Sequence, residues 1–92
     1  MAMITEQGSA TSSSTLWIPS TTPQGTCVLT IKNKSTNTKV WYGDADLSTN
    51  VINGNPLDPG ETVTVTVVGE KLGFRTASGD SNVDFSVVGS FL

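Results

Sequence analysis

Thr62-Val63-Thr64-Val65-Thr66-Val67-Val68 is the stretch that decides the fold. Side chains in a strand alternate faces with a period of two, so Thr62, Thr64 and Thr66 share one face and Val63, Val65 and Val67 the other. The threonine face is wet and the valine face dry. Just upstream, Asp58-Pro59-Gly60-Glu61 predicts a type II turn, with Pro59 presetting its φ and Gly60 accepting the positive φ of the next position. A turn feeding an alternating run is the mark of a β-sheet.

Working outward, the same alternation recurs on both sides. Thr26-Cys27-Val28-Leu29-Thr30-Ile31-Lys32 sets Cys27, Leu29 and Ile31 inward, and Asn33 to Thr38 is turn-forming and predicts a hairpin return. Lys39-Val40-Trp41-Tyr42 is the return strand, with Val40 and Tyr42 on one face and Trp41 on the other, a candidate to meet Trp17. Asp44 to Asn50 reads as a polar loop and Val51-Ile52 as a short strand or strap. After a turn at Gly69-Glu70-Lys71, Leu72 and Phe74 point inward, and Ser78-Gly79-Asp80-Ser81 predicts another hairpin. The last strand, Asn82 to Val88, turns Val83, Phe85 and Val87 inward and leaves Gly89-Ser90-Phe91-Leu92 as an exposed-looking end. Short strands separated by turns, with no helical period, predict an all-β antiparallel sandwich or small barrel of immunoglobulin-like or jelly-roll-like plan.

Upstream of that body, residues 1–15 carry Met3 and Ile4 and then a Ser/Thr-rich run too polar to offset its ordering entropy. They are expected to form a flexible, extended N-terminal arm that orders on a neighbouring subunit, leaving 16–92 as the β-domain. Leu16-Trp17-Ile18-Pro19 opens that domain as an edge strand or strap, because Pro19 cannot donate to a ladder.

The totals narrow the function. Ninety-two residues suit a single domain with one thin core. Only 14% of residues are charged, against roughly 25% in average soluble domains. A net charge of −3 with five Lys and Arg residues offers no basic stripe for phosphates, so no nucleic-acid partner is expected. The chain has no histidine and one cysteine, Cys27, which removes the usual general base, a disulfide and a cysteine pair for zinc. Neither a secretion signal nor a run of about 18 apolar residues is present, so a soluble cytosolic product with no membrane association is expected.

Candidate chemistry is thin. Asp44, Asp46, Ser48 and Asn50 are spaced like the first ligands of a calcium loop, but Thr49 and Asn55 stand where that loop needs Gly and Glu. Glu61, Glu70, Asp80 and Asp84 are better explained as turn and wet-face acids than as a glycosidase pair, which needs two carboxyls about 5 to 10 Å apart across a cleft. No metal, cofactor or catalytic residue is expected, and the chain is not read as an enzyme. Trp17, Trp41 and Phe91, if surface-placed, form either a sugar-stacking platform or the apolar centre of a protein interface. Serine- and threonine-rich strands beside an arm favour the interface.

Val40-Trp41-Tyr42-Gly43-Asp44, the linker Ser48-Thr49-Asn50, Gly54-Asn55-Pro56-Leu57 and Pro59-Gly60-Glu61-Thr62-Val63 follow one another in an order that resembles small phage virion proteins. Leu72-Gly73-Phe74 and Val83 to Val88 have counterparts there too, so the likeness spans about residues 26 to 88. The resemblance implies a capsid decoration or cement protein, located in the virion after assembly in the host cytoplasm and homo-oligomeric, the trimer at a local symmetry axis being one such assembly. Its implied partner is the major capsid protein. Met3, Ile4, Leu16, Trp17, Ile18, Trp41 and Phe91 are the expected interface residues. A head-fibre base or tail-associated domain is the alternative within that class, and a module binding host surface glycans is the alternative outside it.

Overall fold

A computed structural model describes residues 3–20, 24–44 and 54–92. Among them are eight strands and no helix: β1 (Met3–Ala10), β2 (Leu16–Ile18), β3 (Thr26–Asn33), β4 (Val40–Gly43), β5 (Asn55–Leu57), β6 (Thr62–Val68), β7 (Leu72–Arg75) and β8 (Val83–Phe91). They form two four-stranded antiparallel sheets, ordered β1-β8-β3-β6 and β2-β7-β4-β5. Two separate sheets make this a sandwich and not a closed barrel.

The order has a simple generator. β1 pairs with β8, β2 with β7, β3 with β6 and β4 with β5, as if one long antiparallel ribbon had been doubled and then wound up. That winding is the jelly-roll arrangement of two Greek keys. Its consequence is that only β4 and β5 are neighbours both in sequence and in a sheet; each other connection among the described strands crosses from one sheet to the other.

The hairpins expected at 33–38 and 78–81 are therefore corrected to crossovers. Asn33 shows why. Its buried side chain donates to the carbonyls of Thr38 and Leu57, at 3.0 and 2.9 Å, and accepts from Ser35 N at 2.8 Å. Those bonds tie the end of β3 to the sheet below instead of returning the chain beside it. At 78–81, Gly79 takes φ 87° and Asp80 N donates to Ala77 O, a tight turn that swings the chain from β7 up to β8. The turn at Asp58 to Glu61 is as expected: Glu61 N donates to Asp58 O at 3.0 Å and Gly60 has φ 78°.

Residues 3–10, taken from sequence as part of a free arm, instead form β1 and pair with β8 along its full length. Ile4 and Ala10 alternate onto the inner face and are buried, and β8 satisfies a backbone that the polar side chains alone could not hold. β8 itself runs on to Phe91 because β1 and β3 flank it on both sides. Asn55–Leu57, which shows no strand alternation in the sequence, forms β5, a short edge strand and a position that tolerates Pro56. The strap expected at Val51-Ile52 and most of the loop at 44–50 lie outside the described residues.

Both inner faces meet in one core of Ile4, Ala10, Ile18, Cys27, Leu29, Ile31, Val40, Leu57, Val67, Leu72, Phe74, Val83, Phe85 and Val87. Asn33 and Thr76 are the buried polar residues beside it.

Candidate functional site

Two surfaces collect the interface residues expected from the sequence. The first is an open groove of about 330 Å³ lined by Met3, Ile4, Thr5, Glu6, Pro19, Ser20 and Phe91. It lies where the start of β1, the end of β2 and the end of β8 come together. Alternation along β1 points Met3 and Thr5 to the outside and Ile4 and Glu6 toward the sandwich interior. Glu6 accepts a hydrogen bond from Ser20 N at 3.1 Å, and Lys71 Nζ donates to Ser20 O at 2.8 Å. Ser20 is thereby clamped between β1 and the β6–β7 turn, which fixes one wall of the groove.

Chemically this is a mixed lining: Met3, Ile4, Pro19 and Phe91 supply apolar surface, while Thr5, Glu6 and Ser20 supply polar rims. Its volume sits at the low end of ligand cavities, which run from about 300 Å³ upward. A groove of that size takes one or two side chains of a partner. Met3 is 69% exposed, and a thioether on a flexible stem adapts to varied apolar surfaces.

The second surface is the outer face of the sheet β2-β7-β4-β5. Trp17 stands opposite Gly73, and a Cβ added at Gly73 would lie 2.9 Å from Trp17 Cζ3 and 2.8 Å from Thr15 Cγ2. The glycine is what lets the indole lie down on the sheet. Trp41 stands between Arg75 on β7 and Pro56 on β5. Both tryptophans are half-buried on this face, with β7 between their strands. The Arg75 guanidinium donates to the carbonyl of Ser12, anchoring the β1–β2 connection to the same sheet.

Not every expected interface residue is free for a partner. Ile4 is 5% exposed and Ile18 2%, so most of each is committed to the chain's own core, a correction that follows from their inward parity in β1 and β2. Leu16, on the inward side but at the open margin of the sandwich, keeps 36% exposure and approaches Gly8. Phe91 is not the loose end that its terminal place suggested; it is half-buried and packs against the core. Leu92 is the exposed one, at 72%. Thr5, Glu6, Pro19 and Ser20 lie outside the expected interface set, since nothing in their spacing signals that β1 folds back beside the end of β2.

The remaining chemistry is sparse. Among the described residues, no group of three or more His, Cys, Asp or Glu side chains is placed to hold a metal. Cys27 is buried, and burial pushes its thiol pKa up. Asn33-Lys34-Ser35 fits the Asn-x-Ser glycosylation pattern, but Asn33 is fully buried and bonded within the chain. Among the described residues, no helix is long and apolar enough to cross a membrane. Comparison with known protein families, with curated proteins and with solved structures finds no match.

Proposed function

We propose that the chain is a structural subunit of a phage particle, a decoration or cement protein that fastens neighbouring major capsid subunits from the outside of the shell. The groove at the β1 edge carries the reading, because it brings Met3 and Phe91 together from opposite ends of the sequence. The order of motifs, which resembles that of small virion proteins, supports it. So does the jelly-roll winding, which recurs in viral capsid domains, as an analogy of fold and not of site.

In this role the partner inserts an apolar side chain between Met3 and Phe91, and the polar rim of Thr5, Glu6 and Ser20 sets its register. Cosedimentation with assembled empty capsids tests the reading. M3D and T5R, at two exposed positions of β1 that line the groove, are expected to release the protein from the pellet while leaving its far-ultraviolet circular dichroism unchanged. Absence of capsid binding by the intact chain, together with binding on a glycan array, would end it.

That glycan outcome is the second reading, and a specific observation favours it. Trp17 and Trp41 share one outer face, each as a half-buried ring, which is the disposition needed to stack on sugar rings. W17A and W41A would abolish glycan binding there and leave capsid binding through the groove intact.

A further inference from the structure

The longest uninterrupted β-branched run in the chain stands at an open edge. Among the described residues β6 pairs only with β3, so one side of Thr62–Val68 carries unpaired backbone groups. Which groups these are follows from the ladder. Asn33 N donates to Glu61 O and Gly69 N to Gly25 O, each at 3.0 Å, so the odd-numbered residues of this strand bond toward β3. The N–H and C=O of Thr62, Thr64, Thr66 and Val68 therefore point outward.

Edges of this kind are normally guarded by charge, proline, a bulge or brevity. The other three edge strands have such guards. β1 carries Glu6 on its inward side, a charge that would have to be buried if another sheet were added there. β2 and β5 have three residues each, with Pro19 following one and Pro56 inside the other. β6 has seven residues, all Thr or Val, and neither charge nor proline among them. Among the described residues, its edge is the one left open to strand addition.

From this we infer that β6 is a homodimerisation edge, pairing antiparallel with β6 of a second copy about a two-fold axis at Val65. The sequence is self-complementary in that register. Thr64 falls opposite Thr66 of the second copy, Thr62 opposite its Val68, Val63 opposite its Val67, and Val65 opposite its own equivalent. Every threonine stays on the outer face and the half-buried Val63 and Val65 stay on the core side, so the two sheets merge without a change of face. The outward-pointing residues are also the ones this register pairs, giving up to about eight backbone hydrogen bonds. Glu61 and Glu70 fall opposite Gly69 and Gly60 of the second copy, so no like charges meet. A second copy of this chain satisfies all three conditions at once: spacing, polarity and absence of repulsion.

The inference does not rest on the virion reading, although it suits it. β1 and β6 are opposite edges of their sheet, so a β6 dimer leaves both grooves free. A fastener with two grooves gains avidity from their linkage.

Sedimentation velocity and hydrogen exchange on the isolated chain test it. The wild type is expected to be dimeric, with the amides of Thr64 and Thr66 protected to the same degree as that of Val65. T64P removes an outward N–H without touching the β3 ladder and is expected to give a folded monomer. T64D/T66D sets carboxylates opposite each other across the joint and is expected to weaken association about tenfold or more, whereas T64D/T66K sets opposite charges there and restores it. A wild type that stays monomeric at every concentration overturns the inference. So does a trimer, or a dimer whose Thr64 and Thr66 amides exchange as fast as loop amides. The exchange measurement needs no variant, so the inference stays testable if the substitutions fail to fold.

Discussion

Phe74 and Phe85 stack across the middle of the sandwich, with ring centroids 4.3 Å apart and planes inclined by 22°. One belongs to β7 and the other to β8, so this is a contact between the two sheets and not within one. Each ring is fully buried. Replacing Phe85 by Ala removes the stack and leaves a cavity, at a cost of about 3 to 5 kcal/mol. A small domain has only about 5 to 15 kcal/mol in total. F85A is therefore expected to lower the urea midpoint steeply or to unfold the chain, whereas F85L, which keeps most of the volume, is expected to remain folded.

Gly8 lies directly opposite Phe85 in the β1–β8 ladder. A Cβ there would lie 3.1 Å from Phe85 Cζ and would collide with Leu16 Cδ2. Leu16 sits at the open margin and can swing aside, but the ring is fixed by its stack. G8A is expected to cost about 1 to 3 kcal/mol as overpacking, and G8V more. Hydrogen exchange locates the effect: amides of Thr5 to Ser9 should lose protection before those of β3. Equal loss in both strands would mean that β1 is not a separately detachable edge.

Asn33 is predicted to be the costliest polar residue to change. N33A would remove the donors to Thr38 O and Leu57 O and leave a buried carbonyl without its partner, about 1 to 3 kcal/mol. N33D would keep the shape but turn a donor into an acceptor facing two carbonyls, and should be worse than N33A at neutral pH. Thermal melts of the two variants would rank them. By contrast, Lys39 and Asp58 form an exposed pair at 3.7 Å, and K39A should shift stability by no more than about 0.5 kcal/mol.

These residues also show what the sequence disclosed. The strands at 26–32, 62–68 and 83–88 were legible because their inward positions are apolar at every second residue, and parity alone then named most of the core. β1 was not legible. Its middle inward positions are Glu6 and Gly8, and both are explained by what lies above them: Ser20 for the carboxylate, Leu16 and Phe85 for the glycine. The crossovers were hidden because a tight turn between sheets uses the same Gly, Asn and Ser as a hairpin within one. The side-chain bonds of Asn33, which depend on β5 lying below, decide between them. Met3 and Phe91 could be chosen as apolar ends, but their meeting in one groove depends on β1 and β8 being partners, a pairing of opposite termini that no local pattern encodes.

Cys27 supplies a pH dependence whose sign can be worked out. Its thiol is buried among core side chains at the β3–β8 junction, and desolvation raises its pKa above the ordinary thiol value. In the unfolded chain the thiol ionises near the usual pH of about 8.5. Below that pH both states hold the proton and the contribution is fully present. Above it the unfolded chain gains thiolate that the folded chain resists, so stability falls as pH rises through the interval between the two values. Denaturation midpoints should therefore decline on the alkaline side, and C27A should flatten that decline even though it lowers stability at neutral pH by leaving a small cavity. The native thiol should also react with alkylating reagents only as fast as the chain opens, so its labelling rate should rise with urea. Prompt labelling of the native protein at neutral pH would place Cys27 at the surface and overturn the packing described for β3.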